Sequence, residues 1–258
     1  MNKTIKPRDT FNIMADLYDE VRPSYPTDVI EKIVKEAQIL PENVLLEIAP
    51  GTGQATIRFA ERGYEIHAVE LGDNLAKILT KKCREFDVTI DVSSFEEWKS
   101  NRKYNHIYCA TAFHWIDYDV GYKKCHELLD DQGKLILLWH VASGTMNACV
   151  KKAYDALWSY YPNRKNKSSN SLSLQEKRKL DIIQSGYFNI DNYFEHIWTF
   201  PQSKENFIKG FKTQSSYIYL NEKKKVQLNN ELTSIFDELE DIIETEFMTT
   251  VYICGKHL

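Results

Sequence analysis

Apolar residues cluster in short runs at regular intervals along the first half of the chain, and in a looser rhythm beyond it. Runs at 44–48, 65–70, 87–92, 104–110 and 133–140 have the length of strands. The last contains Lys134-Leu-Ile-Leu-Leu-Trp139, continuous as in a parallel strand covered on both faces. Between the runs the period changes to that of helices, at about 53–62, 74–85 and 119–129, with a short helix near 95–100. Earlier, Asp28 to Ala37 sets Val29, Ile30, Ile33, Val34 and Ala37 on one face and stops before Pro41. Asp73 is the expected N-cap of its helix, and Gln132-Gly133 the expected stop of the helix before it. Ser94, with Glu97 three residues on, has the form of a capping box.

After His140 the pattern predicts helices over 145–161, 174–185, 204–212 and 222–244. Strands are expected over 188–200 and 247–254, and Gly186 closes the helix at 174–185. Asn163 to Ser173 is polar and rich in Ser, Asn and Lys, the composition of a flexible loop. Strands alternating with helices describe a doubly wound α/β sheet, with the C-terminal third adding two strands and inserting helices above it.

The stretch Val44-Leu-Leu-Glu47-Ile-Ala49-Pro50-Gly51-Thr52-Gly53-Gln54 carries the most chemistry. A strand ends in a Gly-containing turn, a helix follows, and the second strand ends on Glu70. Backbone N–H groups of such a turn can approach a ligand closely. A carboxylate at the end of the second strand can accept both hydroxyls of a ribose. A dinucleotide fingerprint needs a third Gly, and Thr56 stands at that position, so a pyrophosphate site is poorly supported. Pro50 is expected to push Ala49 toward an extended conformation.

On Glu47-x-Ala49-x-Gly51-x-Gly53 the chain resembles the class I S-adenosylmethionine-dependent methyltransferases, with Ala49 where that family usually has Gly. Tyr18-Asp19, Arg22-Pro-x-Tyr25-Pro, Phe113-His-Trp115 and Lys212 to Tyr217 are similar to small-molecule methyltransferases akin to trans-aconitate methyltransferase. The resemblance implies a mostly parallel seven-stranded sheet, its last strand antiparallel, with helical insertions over the site. It implies one domain over 1–258: an N-terminal cover at 1–43, a cofactor-binding half at 44–140, and sheet completion with substrate cover at 141–258. It implies S-adenosylmethionine held by Glu47, Ala49, Gly51, Thr52, Gly53, Glu70, Leu71, Ser94, Phe95, Ala110 and Thr111. Ser94 stands where the family commonly has an acid that bonds the adenine amine, and Leu71 where an apolar side chain packs on the adenine.

Tyr18, Arg22, Tyr25, Phe113, His114 and Trp115 are the residues the resemblance gives to the acceptor. Arg22 could clamp a carboxylate or pair with Asp19 or Glu20. His114 could serve as a general base or pack the loop beside Trp115. The expected activity is methyl transfer to an O or N nucleophile, a carboxylate among them, on a small molecule. Two rivals stay open: a non-catalytic methyltransferase-like binding subunit, and a nicotinamide-dependent oxidoreductase.

Composition narrows the setting. Apolar content of 43% suffices for a core. No window approaches 18 consecutive apolar residues, and Met1 to Asp9 lacks the apolar region of a signal peptide. The five cysteines form no CxxC pair and read as free thiols in a reducing cytoplasm, with no metal site. A net charge of −4 and a pI near 6.0 lead to the expectation of no nucleic-acid partner and no membrane partner. Lys223 to Lys225 reads as a solvated helix face. The oligomeric state is not legible.

Overall fold

A computed structural model describes residues 10–143, 147–161 and 172–257. Met1 to Asp9, and all but the last two residues of the expected loop at 163–173, lie outside them. Seven strands form one sheet: β1 (Val44–Ile48), β2 (Glu65–Glu70), β3 (Val88–Val92), β4 (Tyr104–Ala110), β5 (Leu129–Ala142), β6 (Phe188–Ser203) and β7 (Ile242–Lys256). Their order is β3-β2-β1-β4-β5-β7-β6. The pairings from β3 through β5 are parallel, and the last strand is antiparallel. The doubly wound sheet expected from the alternation is therefore present. Strand order reverses between β1 and β4, so their carboxyl ends flank the crevice where such sheets bind ligands.

By contacts the chain forms two compact units. One comprises Pro23–Val141, Ser173–His196 and Met248–Leu258. Its strands carry apolar residues on both faces, because successive side chains point oppositely. Leu45, Ile66, Tyr108, Ile136 and Leu138 face one way, against Ile30 and Ile33 of helix Thr27–Glu36 and against Phe59. Leu46, Ile48, Ile107, Leu135 and Leu137 face the other, against Tyr122, Cys125 and Leu128 of helix Tyr118–Leu128. Glu47 is the charged interruption in this pattern, with no exposed surface.

The other unit comprises Met1–Arg22, Ala142–Leu172 and Ile197–Phe247. Its core draws Val150 and Leu157 from helix Ala148–Ser159, and Phe207 and Phe211 from Lys204–Lys212. Leu228, Leu232 and Phe236 of Glu222–Asp237 join them at a four-residue spacing that stacks them on one face.

Several boundaries differ from expectation. Helix Glu222–Asp237 stops seven residues short of 244, because Lys204 Nζ bonds the carbonyls of Asp237 and Leu239 at 3.1 and 3.2 Å and the chain turns into β7. Asp73 is not a cap: Gly72 holds that position, and Asp73, already helical, bonds Lys77 at 3.2 Å. Residues 95–97 form a turn, not a helix, with Phe95 and Trp98 drawn into the core; Ser94 Oγ still accepts Glu97 N–H at 3.3 Å. Gly133 does not end a helix. β5 begins at Leu129, and Gly133 lies where the pairing jumps from Tyr104↔Leu129 to His106↔Lys134. A Cβ there would meet Asn105 O at 2.8 Å, so the close backbone approach requires glycine. All five cysteines are free. Among the described residues no helix is long and apolar enough to cross a membrane.

Candidate active site

The turn after β1 is closed by two backbone hydrogen bonds. Ala49 N donates to Val69 O at 2.9 Å, extending the ladder by one residue; Gly53 N then donates back to Pro50 O at 3.1 Å. The reversal places Ala49 at φ 53°, Gly51 at 63° and Gly53 at 95°. Ala49 is thus left-handed rather than extended as Pro50 alone suggests, because the ladder bond and the turn fix it from both sides. Gly53 is favoured by its φ, and a Cβ there would also crowd the buried Leu79 side chain, 2.7 Å from its Cδ1.

Two carboxyl groups organise this turn from below. Glu70 is 4% exposed; its Oε2 accepts Gly51 N–H at 2.9 Å and its Oε1 accepts Gly72 N–H at 2.8 Å. Burial raises its pKa, and these backbone donors oppose the rise. A carboxylate offers about four acceptor sites, so Glu70 retains capacity for further donors. Glu47 is wholly buried. Its Oε2 accepts the Tyr108 hydroxyl at 2.7 Å, while Oε1 and the neighbouring Thr56 Oγ1 have no partner of hydrogen-bond geometry. Burial pushes the Glu47 pKa up to about 7, against the lowering effect of the Thr56 and Tyr108 hydroxyls. Neither Thr56 nor Tyr108 is marked by sequence as part of this group, since its two members lie 9 and 61 residues from Glu47.

Thr52 and Gly53 are buried; Gly51 and Leu71 are half-buried at the same edge. Ser94 follows β3 with 9% exposure, in a loop anchored by Ser93 N–H to Glu70 O at 2.9 Å. Phe95 is 3% exposed and packs as core with Trp98.

A second strained turn leaves β4. Thr111, next to Ala110, stands at φ 57°, an uncommon conformation for a β-branched residue. Its hydroxyl lies 2.6 Å from Tyr25 OH and accepts His140 N–H at 3.3 Å; its own N–H donates to Leu138 O at 2.7 Å. Phe113, His114 and Trp115 follow in a single 3₁₀ turn. Trp139 Nε1–H donates to His114 Nδ1 at 3.2 Å, which puts the proton of the neutral ring on Nε2. Partial burial of the ring and the Arg178 charge push the His114 pKa down to about 4, although the residue keeps an exposed surface. His114 is thus a neutral donor near neutral pH rather than a strong base. Trp139 and Arg178, whose guanidinium carbon lies 4.3 Å from the Trp139 ring centre, join this cluster without any local sequence signal.

Tyr25 and Phe113 to Trp115 belong to the sheet unit; Tyr18, Arg22 and Lys212 to Tyr217 belong to the other. Within that other unit Arg22 Nη2 donates to Thr213 Oγ1 and O at 3.2 and 3.4 Å, and the guanidinium lies over the Tyr18 ring at 5.1 Å. Glu20 pairs instead with Lys209 at 2.8 Å.

Sheet order, with the glycine turn above Glu70, is that of the Rossmann-like methyltransferase fold. Comparison with known proteins agrees. The ribosomal RNA adenine dimethylase family matches residues 25–104. An uncharacterised methyltransferase-like protein of Schizosaccharomyces pombe is 29% identical over 138 residues, 53% of this chain and 54% of that protein. The chain thus spans about half the length of the curated relatives it first matches, at 54% and 55%. The dimethyladenosine transferase of Saccharomyces cerevisiae is 45% identical over 56 residues, 22% of this chain and 18% of that enzyme. Among solved structures, a methyltransferase from Thiobacillus denitrificans in complex with S-adenosylhomocysteine superposes with TM-score 0.58 at 10% identity, covering 96% of this chain and 98% of that one. These matches correct one expectation. The acidic net charge led to the exclusion of nucleic acid, yet the matched family and the yeast relative are named for adenine dimethylation, in the family's case of ribosomal RNA. Net charge averages over the whole chain and says little about one local face.

Proposed function

We propose that this chain transfers a methyl group from S-adenosylmethionine to an acceptor held beyond the carboxyl end of β4. The observation that carries the reading is the turn after β1, with two glycines at positive φ and Glu70 beneath them. The cofactor is S-adenosylmethionine, which supplies a methyl already activated on a sulfonium. The residues fit it: the turn leaves no side chain at Gly51 or Gly53, Glu70 has acceptor capacity for ribose hydroxyls, and the orphaned Glu47 Oε1 suits an ammonium group. Ser94 and Leu71 would border the adenine. The protein's contribution is to bind, exclude water and align the nucleophile, and alignment alone can supply roughly 7–11 kcal/mol in favourable intramolecular models. His114, neutral and carrying its proton on Nε2, would orient an acceptor by donating a hydrogen bond.

The preferred acceptor is a small molecule with an O or N nucleophile. Support comes from the resemblance of the Arg22-Pro-x-Tyr25-Pro and Phe113-His-Trp115 segments to enzymes akin to trans-aconitate methyltransferase. An RNA acceptor is the second reading, favoured by the family matched over 25–104 and by the yeast dimethyladenosine transferase. Titration calorimetry with S-adenosylhomocysteine and with NAD tests the cofactor. Glu70→Ala should weaken S-adenosylhomocysteine by about 1.5–3 kcal/mol, the range for hydrogen bonds to charged groups, and weaken a 2′-deoxy analogue much less. Binding of NAD alone, or of neither ligand, would support one of the two rivals. Tritiated methyl transfer into metabolite extract and into total RNA then decides the acceptor.

A further inference from the structure

We propose that Arg178 is the anion-recognising residue of the acceptor site, its guanidinium holding a carboxylate of a small acceptor. The inference rests on the methyltransferase reading for the acceptor, and on the surroundings of the guanidinium for the anion.

Arg178 differs from every other described arginine. Arg58 pairs with Glu61, Arg62 with Glu31, Arg84 with Glu85 and Arg102 with Glu65. Arg22 bonds Thr213. Arg178 makes no ion pair and donates no hydrogen bond to a described residue, and its Nη1 is buried without a partner. Its surroundings are aromatic: the Trp139 ring at 4.3 Å, with the phenols of Tyr25, Tyr193 and Tyr252 near enough to act on its charge. A ring face attracts the cation but satisfies none of its in-plane N–H donors. Burial lowers the pKa of Arg178, the direction expected of a cation short of a counter-charge. A guanidinium so placed is prepared for a ligand that brings the missing acceptor atoms.

Location assigns that ligand to the crevice. Trp139, under the guanidinium, donates its indole N–H to His114, four residues beyond Ala110 at the end of β4. Tyr25, whose hydroxyl contacts Thr111, completes the link. One planar fork amid aromatic rings matches one planar carboxylate held bidentately. A phosphate backbone is instead bound by several cations at once. Arg22, the sequence candidate for such a clamp, has one nitrogen already engaged with Thr213.

The test uses the full chain, with and without saturating S-adenosylhomocysteine. Calorimetry compares succinate, its dimethyl ester, inorganic phosphate and a single-stranded RNA oligonucleotide, on wild type, Arg178→Gln and Arg178→Lys. Succinate should bind wild type in preference to the ester, and Arg178→Gln should weaken it about tenfold or more, the loss of one charge-assisted hydrogen bond. Arg178→Lys keeps the charge but loses the fork, and should lose about threefold or more; it carries the test if Arg178→Gln does not fold. Equal succinate affinity in wild type and variants overturns the proposal. So does no succinate binding by wild type, or an Arg178-dependent loss confined to RNA or phosphate. S-Adenosylhomocysteine affinity separates the two readings: if it fails while succinate behaves as expected, the cofactor assignment falls and the carboxylate site stands.

Discussion

Two turns leave the carboxyl ends of neighbouring strands, and each holds a non-glycine residue in the left-handed region: Ala49 after β1 at φ 53° and Thr111 after β4 at φ 57°. They are held there by different means. Ala49 has no side-chain partner to offer; its conformation is imposed by the Val69 ladder bond, the Pro50–Gly53 turn and the buried acids Glu47 and Glu70 nearby. Thr111 also has a ladder bond, its N–H on Leu138 O, but is held in addition by its own hydroxyl, through Tyr25 and the His140 N–H. Both share a backbone ladder bond; the first turn is otherwise shaped by the charges and backbone around it, the second by side-chain hydrogen bonds. Residues in sparsely populated backbone regions cluster at functional sites, and the contrast says which substitutions should relieve the strain and which should collapse the turn.

The largest effect is expected at Glu47. Its carboxyl has a pKa of about 7 in the fold against 4.5 as an ordinary value. The folded state therefore binds its proton more tightly than the unfolded chain does. The stability this provides is complete below about pH 4.5 and is lost as pH rises through 7. A shift of that size corresponds to about 3 kcal/mol between the two limits. Glu47→Gln removes the titration while keeping an acceptor for the Tyr108 hydroxyl. The variant should be more stable than wild type at pH 8, by up to about 3 kcal/mol, and indistinguishable near pH 4.5. Urea denaturation across this range measures it; a difference that does not vary with pH would show that Glu47 is not the titrating group. The same variant should bind S-adenosylhomocysteine more weakly, which is the reason a destabilising buried acid would be kept.

The Thr111 turn should respond to a pair of substitutions. Thr111→Ala keeps the left-handed strain and loses both hydroxyl contacts, a cost of about 1–3 kcal/mol. Thr111→Gly loses the same contacts but relieves a conformation costing roughly 1–2 kcal/mol, so the smaller residue should be the less harmful one. Thermal unfolding of the two variants ranks them. The opposite order would mean that the fold does not strain this position, and that side-chain bonds alone explain it.

How much of this could be read from sequence follows the range of the interactions concerned. β1, β2 and β4 coincide with their apolar runs because both faces of each are buried, and burial is written locally. Glu47 and Glu70 are legible as charges at strand ends. The start of β5 is not, because Gly133 serves a bulge whose other side is Asn105, and only the pairing reveals it. Ala49 misleads for the same reason: the Pro50 rule is local, while the bond that overrides it comes from Val69 on another strand. Arg178 is invisible, 39 residues beyond Trp139 in a helix that carries no local signal of a site.

The smallest effect is the sharpest test of the comparison. Ala49→Gly deletes a methyl from a half-buried position and leaves every hydrogen bond of the turn in place. Left-handed backbone costs an L-residue roughly 1–2 kcal/mol, and glycine incurs none of it. Against this stands the greater freedom of glycine in the unfolded chain, about 0.5–1 kcal/mol. The balance predicts a gain of under about 1 kcal/mol, a rise of no more than a few degrees in Tm for a chain of this size. S-Adenosylhomocysteine should bind as well or slightly better, since the turn keeps its shape with less opposition. Scanning calorimetry with and without the ligand checks both statements. A loss of stability in Ala49→Gly would mean that the methyl packs usefully where the backbone is left-handed, and would remove the distinction between a turn shaped by its surroundings and one held by its own side chain.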